Sequence, residues 1–74
     1  MTHTDFAILH HLAGRTQATA AEIGIACRMT ANEVRVLLVV LESRRLVIGW
    51  QDSRLVPAAR VFAISSEGRR MVEG

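Results

Sequence analysis

The chain is 74 residues long, half of them hydrophobic, with a mean hydropathy of +0.25. That suits one small folded domain and excludes a disordered tail. Nine basic residues against seven acidic ones give a net charge of +2, and all nine are arginine. Every cation is therefore a planar fork suited to phosphate and guanine edges, but so small a net charge leaves the partner to be decided by placement.

The longest aliphatic run, residues 36–41, is far short of the roughly 18–20 residues that span a bilayer. The first five residues, Met-Thr-His-Thr-Asp, have neither the basic nor the apolar stretch of a secretory leader, so a cytoplasmic location is expected. Cys27 is the only cysteine, which excludes an internal disulfide and fits a reducing compartment. Without a disulfide or a metal, so short a chain is expected to gain stability from a partner subunit, as a homodimer.

The first helix is predicted over residues 4–13. Asp5 suits its positive N-terminus, and Gly14 stands where a left-handed C-terminal residue belongs. At about 100° per residue, Phe6, Leu9, Leu12 and Ala13 share one broad face, with His10 at its margin and His11 away from it. Thr19 followed three residues later by Glu22 is a capping box, opening a short second helix whose inward face is Ile23, Ala26 and Cys27. Thr30 with Glu33 repeats the signal and opens a longer helix to about Arg44. Two capping boxes around Arg28-Met29 describe two helices joined by a tight turn.

The period then changes. Residues 47–50 and 60–64 are β-prone, and residues 51–59 between them hold Asp, Ser and the single proline of a loop. A hairpin with a long tip is expected, with Trp50 and Phe62 packing it onto the core. Ser65-Ser66-Glu67 opens a last short helix ending at Gly74. The fold class is α+β, mostly α: a three-helix core, a two-stranded β wing and a short C-terminal helix.

Residues 22–47, EIGIACRMTANEVRVLLVVLESRRLV, and residues 60–70, with Ile64-Ser65-Ser66-Glu67-Gly68 in place of a Leu-Thr-x-x-Gly turn, carry a family pattern. In that order and spacing the chain resembles the winged helix-turn-helix DNA-binding domains of the MarR and PadR regulator families. Two departures stand out: Arg28 occupies the turn position where glycine is usual, and Arg45 replaces the glycine before the wing. The resemblance implies sequence-specific binding of double-stranded DNA by a small transcriptional regulator, a repressor. Helix 30–44 would enter the major groove, and the 47–64 wing would lie along the backbone or in the minor groove. It also implies that residues 1–74 form a single winged helix-turn-helix domain. Such families dimerise through added helices with no counterpart within these 74 residues, so a dimer is expected to use Ile8 and Leu12 of helix one, or Met71 and Val72 of the last helix.

The outer face of helix three supplies the candidate base contacts. Asn32 suits the N6/N7 edge of adenine, Arg35 the O6/N7 edge of guanine or a phosphate, and Val36 a thymine methyl. Thr30 at the helix start and Val39 one turn beyond Val36 extend that face. Arg54 near the wing tip and Arg60 on its return strand are candidate phosphate or minor-groove contacts. Arg44 and Arg45 also complement the negative end of helix three.

One feature points elsewhere. Val36, Val39 and Val40, with Ile25 of helix two, make an outward apolar stripe of the kind that marks protein interfaces. A winged-helix protein-interaction module is therefore the alternative, beside an architectural accessory protein like those of phage recombination. His3, His10, His11 and Cys27 do not converge on a metal, because adjacent histidines point about 100° apart on a helix. No nucleophile elbow, phosphate-binding glycine loop or paired acids occur, so no cofactor and no enzymatic activity are expected.

Overall fold

Three capping boxes set where the helices begin. In the computed structural model, which describes residues 2–55 and 57–73, Thr2 caps α1 (His3–Ala13), Thr19 caps α2 (Ala20–Cys27) and Thr30 caps α3 (Ala31–Ser43). At each, the threonine hydroxyl accepts from the backbone N–H three residues on, and the acid there accepts from the threonine N–H. The boxes at Thr19 and Thr30 are those read from the sequence. The first was missed because its reciprocal acid is Asp5 instead of the usual Glu or Gln.

Between α1 and α2 lies β1 (Ala18–Thr19); after α3 come β2 (Val47–Asp52), β3 (Ala59–Ile64) and α4 (Ser66–Glu73). Gly74, expected to end α4, lies outside the described residues, as do Met1 and Val56. No helix among the described residues is long and apolar enough to cross a membrane.

The expected two-stranded wing is in fact part of a three-stranded antiparallel sheet in the order β1-β3-β2. At two residues, β1 has no periodicity to read, and its pairing of Ala18 with Phe62 and Thr19 with Val61 is set by tertiary packing. Strands β2 and β3 run further toward the tip than predicted, so the loop shrinks to residues 53–58. Their register places Gly49 opposite Phe62 and Trp50 opposite Val61. Neighbouring positions face opposite ways, so Phe62 is buried against the helices while Trp50 lies on the other side of the sheet, 37% exposed. Trp50 does not make the wing-to-core contact expected of it.

The core gathers Ile8, Leu9 and Leu12 of α1, Ile23 of α2, Val34, Leu38 and Leu41 of α3, and Val47 and Phe62 of the sheet. On α1 the inward stripe is centred on Ile8, Leu9 and Leu12, so Phe6 is pushed to the rim. Ile8 and Leu12 are fully buried and are not free to make a dimer. On α2 the inward face follows i, i+3, i+4, i+7 as Ala20, Ile23, Gly24 and Cys27, and Ala26 is exposed. Cys27 is only half-buried, at the core edge, and that burial raises its thiol pKa.

Backbone strain sits at two arginines, Arg28 and Arg45. Arg28 closes α2 with φ 58° and ψ 46°, and Arg45 has φ 62°, both left-handed. Gly14, expected in that conformation, has φ −90° and ψ 5°. There α1 ends instead on a tightened last turn, and Arg69 of α4 donates from Nη1 to the carbonyl of Ala13 at 3.2 Å. The left-handed turn after α2 brings the chain back so closely that a Cβ on Gly24 would meet the Met29 carbonyl oxygen at 2.6 Å.

Candidate nucleic-acid interface

Helix α3 is amphipathic in the sense its sequence requires. Val34, Leu38 and Leu41 are buried, Leu37 is half-buried, and Asn32, Arg35, Val36, Val39 and Val40 face out. The tight turn at Arg28–Met29 fixes its start: the Arg28 and Met29 N–H groups both reach back to the Gly24 carbonyl, the latter at 2.8 Å. Thr30 is the cap itself. Its hydroxyl accepts from the Glu33 N–H at 3.1 Å and donates to the Glu33 carboxylate at 2.9 Å, so its hydrogen-bonding capacity is used within the helix.

Asn32 and Arg35, one turn apart, are brought together: Arg35 Nη1 donates to Asn32 Oδ1 at 2.8 Å. The bond uses one guanidinium N–H and the amide oxygen, so the exposed pair still carries the Asn32 NH₂ and the other Arg35 N–H groups as donors. Val36 and Val39, one turn apart on the same outer face, are 65% and 67% exposed and border different grooves. Val36 borders a groove with Thr2, Thr4, Met29 and Leu37. Val39 borders a second groove, of about 490 Å³, between α3, the start of α2 and the root of the wing; Arg35, Glu42, Arg60 and Phe62 also line it.

The wing arginines are not free charges. Arg54 forms a two-pronged pair with Asp52, Nε to Oδ1 at 3.0 Å and Nη2 to Oδ2 at 3.1 Å, while its backbone N–H also donates to Oδ1. Gln17, just before β1, reaches the same carboxylate at 3.4 Å. The bonds from Arg54 hold the Asp52 pKa down to about 2, from an ordinary 3.8. Arg54 therefore lies at the β2–β3 turn, outside the groove that Arg35, Val39 and Arg60 share. Arg60 Nη2 donates to Glu42 Oε2 at 2.7 Å, tying β3 to α3.

Two residues that shape this surface escaped the sequence reading. Asp52 was legible in principle, since Asp-Ser-Arg is the i, i+2 pattern by which an Asx side chain folds a turn onto itself. Glu42 was not: its partner is 18 residues away on a strand, and nothing local announces the pairing. Arg28 and Arg45 are exposed on the turns flanking α3, adding positive charge at both of its ends. Of the histidines, His11 is half-buried with Nε2 lacking a partner among the described residues, and desolvation, reinforced by Arg15, lowers its pKa. No group of three His, Cys, Asp or Glu suited to a metal occurs among the described residues.

No protein-family model and no curated protein matches the sequence. Solved structures do match. The MepR–DNA complex of S. aureus superposes with a TM-score of 0.89 at 23% identity, covering 99% of this chain and 60% of MepR. BpsR of Bordetella bronchiseptica, whose DNA binding is regulated by 6-hydroxynicotinic acid, superposes with a TM-score of 0.87 at 22% identity, covering 99% of this chain and 51% of BpsR. A MarR family transcription regulator gives a TM-score of 0.87 at 19% identity, with coverages of 99% and 48%. The chain spans about half to three-fifths of the length of these regulators. From its first helix to its last, it has the winged helix-turn-helix fold of MarR-family transcription regulators.

Proposed function

We propose that the chain binds double-stranded DNA sequence-specifically as a small cytoplasmic transcriptional regulator, laying the outer face of α3 in the major groove. The observation that carries this reading is the Asn32–Arg35 pair, exposed and mutually oriented in the N-terminal half of a helix presented by a winged-helix scaffold. An α-helix fits the major groove, and this half of a recognition helix is where base edges are read. Asn32 and Arg35 supply the donors, Thr30 lies beside the backbone, and Val36 and Val39 pack on thymine methyls. Arg54 and Arg60 serve the phosphates or minor groove from the wing. Residues 1–74 act as one unit, and repression is the mode that requires least beyond binding, because an occupied operator excludes polymerase. A homodimer would use the exposed apolar residues of α1 and α4, Phe6 and Met71.

The exposure of Val36, Val39 and Val40 favours a second reading, a protein-interaction module. Alanine at Asn32 or Arg35 removes a specific donor, so the DNA reading expects about 1–3 kcal/mol less discrimination at one base pair. Under the same reading, serine at Val39 and Val40 changes DNA affinity only modestly. Sequence preference untouched by both alanine variants, with a protein partner lost in the double serine variant, would decide for the interaction module.

A further inference from the structure

The wing arginine nearest to α3 is seated in a slot made for it. The Arg60 guanidinium carbon lies 5.6 Å from the centroid of the Phe62 ring, and Nη2 donates to Glu42 Oε2 at 2.7 Å. Across the strands, Gly49 leaves the room: a Cβ there would stand 3.0 Å from Arg60 Nη2 and 2.9 Å from the Phe62 ring. An aromatic face, a carboxylate and a missing side chain thus converge on one guanidinium, at the edge of the groove that Arg35 and Val39 also line.

We infer that Glu42 is an intramolecular counter-ion for Arg60, one that holds Nη2 of the guanidinium in the free protein and competes with a DNA phosphate for it. The inference deepens the DNA-binding reading and rests on it. Glu42 is a positioning residue: it sets how strongly the wing contributes to backbone binding, and with it the salt dependence. A phosphate that takes Arg60 Nη2 has to break the 2.7 Å bond, and on any edge of the guanidinium it comes to lie near the like charge of the Glu42 carboxylate. Both effects reduce the net gain from Arg60 in the wild-type protein. The pair is half-exposed, with 32% of the Glu42 side chain and 51% of the Arg60 side chain accessible, so the opposition is modest and reversible.

The test is a four-variant set, wild type, Glu42→Gln, Arg60→Gln and the double variant, titrated with one mixed-sequence duplex between about 50 and 200 mM salt. Glutamine keeps the size of the glutamate and sits on a partly exposed helix face, and a melting curve for each variant shows that the fold is kept. Glu42→Gln is expected to tighten binding about two- to fivefold and to steepen the slope of log affinity against log salt by up to about 0.9, the limit set by one released counterion. Arg60→Gln weakens binding less in the wild-type background than in the Glu42→Gln background, and the double variant loses the added slope. Wild-type binding with an unchanged Glu42→Gln affinity and slope overturns the inference and spares the DNA reading. So does a gain that persists when Arg60 is also replaced, since that would reflect only a lost negative charge. If neither wild type nor Glu42→Gln binds any duplex at low salt, the inference and the DNA reading fall together.

Discussion

Replacing Gly24 with alanine tests how the helix-turn-helix is held in register. The added Cβ would lie 2.6 Å from the Met29 carbonyl oxygen and 3.5 Å from the Thr30 carbonyl carbon. The oxygen has little room to retreat, because the Met29 N–H is bonded to the Gly24 carbonyl at 2.8 Å and the next residue is the α3 cap. Overpacking of this kind costs about 1–3 kcal/mol. Alanine's better helix propensity offsets about 1 kcal/mol of that. The net loss is then up to about 2 kcal/mol, and for a domain of this size each kcal/mol moves Tm by about 4–8 °C.

Gly14→Ala is the matched control. Its φ of −90° suits any residue, and the nearest atom to an added Cβ is 3.8 Å away. Reduced freedom of the unfolded chain should stabilise that variant by about 0.4–1 kcal/mol. Thermal melts followed by circular dichroism should show Gly24→Ala several degrees below the wild type and Gly14→Ala level with it or above. Equal Tm values for the two variants, or a Gly14→Ala variant that melts lower, would refute the reasoning.

The Asp52 carboxyl, held to about 2 in the folded chain against 3.8, favours the wing turn at every pH above its ordinary value. That contribution is lost as pH falls through about 2, and a carboxyl NMR titration of Asp52 with a midpoint near 3.8 would contradict it. His11 works in the same direction at higher pH. Its lowered pKa makes stability fall as pH drops below 6.5, and a His11→Gln variant should flatten that part of the profile. Cys27, half-buried and with a raised pKa, should react with a thiol reagent at neutral pH more slowly than free cysteine does; equal rates would place it at the surface. If the chain dimerises through Phe6 and Met71, Tm should rise with protein concentration, and Phe6→Ser should abolish that rise. A concentration-independent melt with a monomeric mass would dispose of the dimer.

What the sequence revealed were features whose causes are local. The boxes at Thr19 and Thr30, the buried Val34, Leu38 and Leu41, and the exposed valines of α3 all follow from spacing along one helix. What it hid depends on residues far apart in the chain. Strand β1 exists only because β3 lies beside it, and Trp50 faces away from the core because of a register that pairs it with Val61. Gly14 has the composition of a left-handed cap, yet the turn that follows takes another path and leaves the strained conformations to Arg28 and Arg45. The candidate site shows the same division. Asn32, Arg35, Val36 and Val39 are exposed on α3, as their spacing implies, but pairing changes what three of the arginines present: Arg35 is bonded to Asn32, Arg54 to Asp52 and Arg60 to Glu42. A charge counted from the sequence is therefore not yet a charge offered to a partner.

The central claim is that the outer face of α3 reads DNA sequence, and selection from a pool of random duplexes tests it most directly. The protein should enrich a defined motif, and Asn32→Ala or Arg35→Ala should relax the preference at individual base pairs within it. A spaced inverted repeat would show in addition that two copies bind together. A selected pool as random as the starting one, from protein that is folded and binds no duplex at low salt, would contradict the account.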